Sequence, residues 1–262
     1  MRENRTYGSE GGAAIGRSDP IKDPMPFPFP FPLFPFPFSF FSAKDHPMPS
    51  WTPESRAAAV DAILTRAPVV PVISIERLED AIPLARALVA GGLPVLEITL
   101  RTAVALEAMR LIVAEVPEAI VGAGTVLTPA DLDAVVASGA AFAISPGATP
   151  RLYAAAAQSP IAWIPAIASA SELMLGLEYG HQRFKFFPAD SSGGIAAVKS
   201  FGGPFPQARF CPTGGIDAAK APAYKALANV ITVGGSWMLP KAAIDANQWD
   251  EIEALARAAS AL

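Results

Sequence analysis

The chain has 262 residues, 52% of them hydrophobic and 17% charged, with a formal net charge of −4. Its single cysteine, Cys211, excludes an internal disulfide or a cysteine-based metal cluster, and two histidines, His46 and His181, are too few for a histidine-rich metal site. A mildly acidic chain without a Lys/Arg-rich run is poor material for tracking a phosphate backbone, and no apolar run reads as a membrane span, so neither nucleic acid nor membrane is an expected partner.

Residues 1–47 differ from the rest. They hold nine of the 27 prolines and, between Phe27 and Phe41, eight of the 15 phenylalanines. Residues 24–41 read PMPFPFPFPLFPFPFSFF, where alternate prolines remove helix donors. The expectation is an extended or polyproline-like ribbon, neither a signal peptide nor a spanning helix. Residues 1–19 are polar and Gly/Ser-rich and read as disordered. Two readings stand: a docking ribbon for an aromatic-lined groove, or upstream sequence ahead of a natural start at Met48. The second is favoured, because Thr52-Pro53-Glu54 opens a helix immediately afterwards. The chain thus divides into an extension, 1–47, and a body, 48–262.

After a helix over about 53–66, apolar strand-like runs alternate with helical periodicity. The strands are expected at Val69–Ser74, Pro94–Leu100, Ile120–Thr125, Phe142–Pro146, Ala162–Ile167, Arg183–Pro188, Arg209–Thr213 and Val230–Gly234. Between the first two, Leu78, Ile82, Leu84, Ala85, Leu88 and Val89 mark an apolar helix face closed by Gly91-Gly92. Thr128-Pro129-Ala130-Asp131 carries a capping pattern, and Gln248 to Leu262 supplies the last helix. Eight βα units at this spacing predict an α/β fold, a compact (β/α)8 TIM barrel with one extra N-terminal helix. A doubly wound open sheet is the alternative. Gly122-Ala123-Gly124 imitates a dinucleotide fingerprint but has Leu127 where the third glycine belongs.

In such a barrel the chemistry gathers at the carboxyl ends of the strands. Period two puts Glu97, Thr99 and Arg101 on one face of the second strand, opposite the apolar Leu96, Ile98 and Leu100, so the charged face should point inward. That face reads either as an interior ion pair or as a site with acid–base and anion-binding groups. The sixth strand puts Arg183, Lys185 and Phe187 inward by the same parity. Lys185 is the one lysine of the body inside a strand. It is either a strand-end lysine reaching solvent or a nucleophile activated by apolar surroundings and a neighbouring cation. Thr213-Gly214-Gly215 and Gly234-Gly235-Ser236 end the last two strands, as tight turns or as backbone donors for a phosphate. His181 reads as an ordinary loop histidine. Together these groups suggest Schiff-base chemistry on a phosphorylated keto acid.

The stretches VVPVI, LVAGG, VLEITLRT, EAIVGAGTVL, FAISPG, SELMLG, FKFFPA, RFCPTGGI and VGGSW, in this order from Val69 onward, closely resemble the class I KDPG (2-dehydro-3-deoxy-phosphogluconate) and 4-hydroxy-2-oxoglutarate aldolases. The resemblance implies that Lys185 forms the Schiff base and that Glu97 is the general acid/base. It implies that Arg101 and Thr125 hold the pyruvate carboxylate, that Pro146 and Phe187 shape the pocket, and that Thr213 faces the aldehyde. Gly214, Gly215, Gly235 and Ser236 would bind the phosphate. It further implies a carbon–carbon lyase of the Entner-Doudoroff pathway, cytoplasmic and homotrimeric, with no metal and no other cofactor. One departure is Pro165-Ala166-Ile167-Ala168, where the family more often has Pro-Gly-Ile-Ser. Two rivals remain: a phosphate-binding barrel isomerase or synthase using Glu97 without a covalent lysine, and a non-catalytic protein recruited through the Pro/Phe ribbon.

Overall fold

The computed structural model describes residues 51–262. The Pro/Phe ribbon, His46 and the proposed start at Met48 lie outside the described residues.

Nine short parallel strands carry the architecture: β1 (Val69–Ile73), β2 (Val95–Thr99), β3 (Ile120–Gly124), β4 (Phe142–Ile144), β5 (Ala162–Ile164), β6 (Ala166–Ile167), β7 (Arg183–Phe186), β8 (Arg209–Pro212) and β9 (Val233–Gly235). Six of them pair in the order β5-β4-β3-β2-β1-β9, and β6-β7-β8 form a second sheet. Bridges from Phe210 to Val230 and from Thr213 to Gly234 join β8 to the β9 segment. The expected fifth strand, Ala162–Ile167, is split at Pro165, which has no N–H to give a ladder. Its first half pairs with β4 and its second half with β7, while the Pro165 carbonyl accepts from the Lys185 N–H at 3.0 Å. The two halves make one barrel stave, so the curled sheet is the eight-staved barrel expected, not an open sheet.

The expected eighth strand needs a shift. Val230 meets the barrel at one bridge only, and the regular strand begins at Val233. Helix starts follow the local chemistry. Thr52 caps α1 (Pro53–Leu64) and exchanges hydrogen bonds with Ser55, and Thr128 caps α4 (Pro129–Ala137) in the same reciprocal way with Asp131. Gly92, at φ 90, turns the chain after α2 (Ala81–Ala90). The last helix, α10 (Trp249–Ser260), closes the ring against α2.

Alternation sorts the strand side chains. Leu96, Ile98, Phe184 and Phe186 are fully buried, and Phe186 meets Phe201 of the following helix edge-on at 6.0 Å. The opposite faces fill the barrel. There a Cβ on Gly122 would lie 2.3 Å from the Phe142 ring, so the glycine leaves room for that interior side chain. Below, α1 packs against the N-terminal ends of β5 and β7, tied by Trp51 Nε1 donating to the Ser159 carbonyl at 2.8 Å.

Candidate active site

Inside the barrel, Lys185 on β7 reaches across to Glu97 on β2. Nζ donates to Oε1 at 2.7 Å, and the two side chains are 7% and 2% exposed. Of the open alternatives, this pairing discards the solvent-reaching lysine. The neighbour of Nζ is a carboxylate, not the expected cation, and the Phe187 ring centroid stands 5.4 Å away. A carboxylate so deep needs space as well as a partner. Gly124, in register with Thr99, supplies it: a Cβ there would lie 2.3 Å from Glu97 Oε1.

Thr99 is buried and donates to the Ile73 carbonyl at 2.9 Å, while Arg101 Nε donates to Thr99 Oγ1 at 3.0 Å. Parity puts Arg101 on the inner face, but the strand ends at Thr99 and Arg101 lies exposed in the turn beyond it. It is a rim residue tethered to the interior through Thr99. Arg183 begins β7 and points down, to Asp61 of α1. Thr125 follows β3 with φ 62, a left-handed conformation uncommon for a branched side chain, and Pro146 follows β4.

Cys211 stands in register with Lys185 and is buried; burial pushes its thiol up to about 12, so it stays protonated. Ala166 is also in register with Lys185 and buried, so its methyl shares the lysine's side of the stave. Thr213 packs on Gly234 so closely that a Cβ on the glycine would lie 2.2 Å from Oγ1. Gly214 and Gly215 have φ of 103 and 76, and a Cβ on Gly235 would meet the Trp237 ring at 2.0 Å. Both glycine pairs are therefore sterically required, and both lie at the mouth.

Arg101 and Ser236 also line a cavity of about 540 Å³ between the segments following β1 and β9, with Ser74, Arg77 and Lys241. Sequence reasoning missed Ser74, Arg77 and Lys241, which carry no motif and meet only through the β1–β9 pairing. It also missed Gly124, for which a glycine inside an apolar strand was the available signal. Among the described residues no three His, Cys, Asp or Glu side chains converge to hold a metal. His181 lies in a loop, as expected, but inside the packing. It is buried, 5.2 Å from the Trp163 ring and 5.4 Å from Tyr153, and burial together with Arg56 pushes its pKa down to about 3.

The chain is similar to known proteins along most of its body. The profile of the family described as "Aldolase: KDPG and KHG aldolase" matches residues 60–255. The KHG/KDPG aldolase of Escherichia coli K12 is 55% identical over 201 residues, covering 77% of this chain and 94% of that protein. A crystal structure of KDPG aldolase from Legionella pneumophila, with pyruvate captured as a covalent carbinolamine intermediate, is 52% identical with a TM-score of 0.75, covering 76% of this chain and 97% of that one. The 2-keto-3-deoxy-6-phosphogluconate aldolase of Zymomonas mobilis, solved with 3-phosphoglycerate, is 50% identical with a TM-score of 0.74, covering 77% and 95%.

Proposed function

The chain belongs to the KDPG and KHG aldolase family, and on that premise we propose that Lys185 and Glu97 carry its reaction. It is a Schiff-base aldolase that cleaves 2-dehydro-3-deoxy-6-phospho-D-gluconate to pyruvate and D-glyceraldehyde 3-phosphate. It also acts on 4-hydroxy-2-oxoglutarate, giving pyruvate and glyoxylate. The observation that carries this reading is the buried contact of 2.7 Å between Nζ and Oε1, which puts a nucleophile and a proton acceptor in one enclosed space.

The steps follow from that contact. Glu97 takes a proton from Lys185, and the freed amine attacks C2 of the keto acid. Glu97 returns the proton to the new hydroxyl, water leaves, and the carbinolamine becomes an iminium. With Arg101 and Thr125 holding the carboxylate, Glu97 removes the C4 hydroxyl proton through a water. The C3–C4 bond then breaks, its electron pair flows into the iminium, and the aldehyde departs from an enamine. Protonation at C3 and hydrolysis release pyruvate and the free lysine. Pro146 and Phe187 border the pyruvate end, and Thr213 faces the aldehyde.

Gly214, Gly215, Gly235 and Ser236 take the phosphate on backbone N–H groups and one hydroxyl. The left-handed Gly214-Gly215 turn and the adjoining exposed Ser236 support this. A homotrimer is proposed, with the exposed apolar side chains Leu127 (58%) and Met174 (54%) as candidate contacts. Work in the cytoplasm is proposed because a phosphate ester does not cross a bilayer unaided. The body over 48–262 is read as one catalytic domain.

Borohydride reduction in the presence of pyruvate tests the lysine. The expected result is one adduct, on the peptide containing Lys185. An isomerase or synthase without a covalent lysine would give no adduct and would keep its turnover in a Lys185→Gln variant.

A further inference from the structure

The Gly214-Gly215 turn is held from behind. The carbonyls of Thr213 and Gly214 accept from the N–H groups of Ala189 and Asp190, at 2.8 and 3.0 Å. The carbonyl of Gly215 accepts from Lys220 Nζ at 2.8 Å, and the same ammonium reaches Asp190 Oδ2 at 2.9 Å. Lys220 is itself placed by Asp217, whose Oδ1 accepts from the N–H groups of Ala219 and Lys220 at 3.0 and 2.9 Å. Three successive carbonyls are thus turned toward the loop after β7 and the Lys220 ammonium.

A trans peptide points its N–H opposite its C=O. The N–H groups of Gly215 and Ile216 therefore face away from the Asp190 loop, and among the described residues neither has an acceptor. The Asp190 N–H already holds the Gly214–Gly215 peptide, but among the described residues only Lys220 holds the Gly215–Ile216 peptide, and a glycine with φ 76 can change conformation at little cost. The ion pair is exposed on both sides, at 42% and 53%, and contributes little to stability. Its effect is on the orientation of one peptide.

We infer that Lys220 is a positioning residue: by bridging the Gly215 carbonyl to Asp190, it fixes the direction of the Ile216 N–H group and so sets the affinity for the phosphate end of the substrate. This rests on the phosphate role proposed for the turn. Lys220 does not touch the reacting carbons, and it donates behind the turn instead of into the mouth. A lysine that bound phosphate directly would gain from losing its carboxylate partner, whereas a positioning lysine loses from it.

The test is steady-state cleavage of the phosphorylated keto acid and of 4-hydroxy-2-oxoglutarate by Lys220→Met, Lys220→Arg, Asp190→Asn and Ser236→Ala. Losing one charge-assisted hydrogen bond should raise KM for the phosphorylated substrate about tenfold in Lys220→Met. Its kcat, and both constants for 4-hydroxy-2-oxoglutarate, should stay within about twofold of wild type. Asp190→Asn should shift KM in the same direction, and Lys220→Arg should restore most of the affinity. An unchanged KM, an equal loss on both substrates, or tighter binding in Asp190→Asn overturns the inference. Ser236→Ala separates the two layers. If it discriminates between the substrates while Lys220→Met does not, the phosphate reading stands and only the positioning role falls. If neither discriminates, both fall.

Discussion

Two residues apart on β7, Arg183 and Lys185 each meet a carboxylate, yet the two pairs are built differently. Arg183, at the lower end, gives two parallel bonds to Asp61, at 2.6 and 2.7 Å, and further bonds to the carbonyls of Gln182 and Gln207. Four of its five N–H donors are thus engaged, and the pair is partly wet, with exposures of 16% and 34%. Lys185, at the upper end, has one acceptor among the described residues, and its pair is almost dry. A fork so engaged fixes α1 to the barrel and has little left to offer a ligand. A buried ammonium with a single partner keeps donor capacity and can exchange its proton. One strand therefore carries a fastener at one end and the proposed nucleophile at the other.

The contrast can be broken from the top down. Lys185→Met should lower kcat by about 10⁴-fold or more and abolish the pyruvate adduct, measured by turnover and by mass after borohydride. Glu97→Gln should cost about 10²- to 10⁴-fold in turnover, since it removes the proton carrier but leaves the nucleophile, so a slow adduct should still form. Gly124→Ala forces a methyl against the Glu97 carboxylate and should reduce kcat about 10- to 100-fold, with a loss of about 1–3 kcal/mol in a denaturant titration. Retained kcat in that variant would mean that the position of the carboxylate is not critical.

At the lower end the effects should be on stability alone. Arg183→Met should lower the melting midpoint by about 2–4 °C, consistent with about 1 kcal/mol for a partly exposed pair, and leave kcat within about twofold. A large loss of turnover there would erase the distinction between the two ends. His181 adds an effect that appears only on acidification. Its pKa is pushed down to about 3 in the fold, below its unfolded value, so its contribution is fully present above about pH 6.5 and falls away as pH drops toward 3. The melting midpoint of wild type should therefore decline more steeply on acidification than that of His181→Gln.

Much of the upper end was legible because two rules act together there. Apolar runs marked the staves, and period two turned Glu97, Thr99 and Lys185 to one side. Parity failed at Arg101 because alternation holds only while the strand lasts, and β2 stops at Thr99. The last strand was misplaced because Val230 and Ile231 are as apolar as a strand but run beneath it, touching β8 through a single bridge. Pro165 was visible, but its effect depends on which neighbours β5 and β6 pair with. Lys220 and Asp190 could not be read from the chain. They are exposed polar residues 30 positions apart, brought together only because β7 and β8 are adjacent staves.

The split at Pro165 has a mechanical meaning. Glu97 belongs to the six-stranded sheet and Lys185 to the three-stranded one, so the pair proposed to react spans two hydrogen-bonded bodies. Those bodies are continuous through the chain at Pro165 and otherwise meet at the sparse bridges from β8 to the β9 segment. Widening that seam by little more than an ångström would part the Lys185 amine from the Glu97 carboxylate while the helices kept their packing. The barrel's sparsest joint is thus in series with its proposed chemistry.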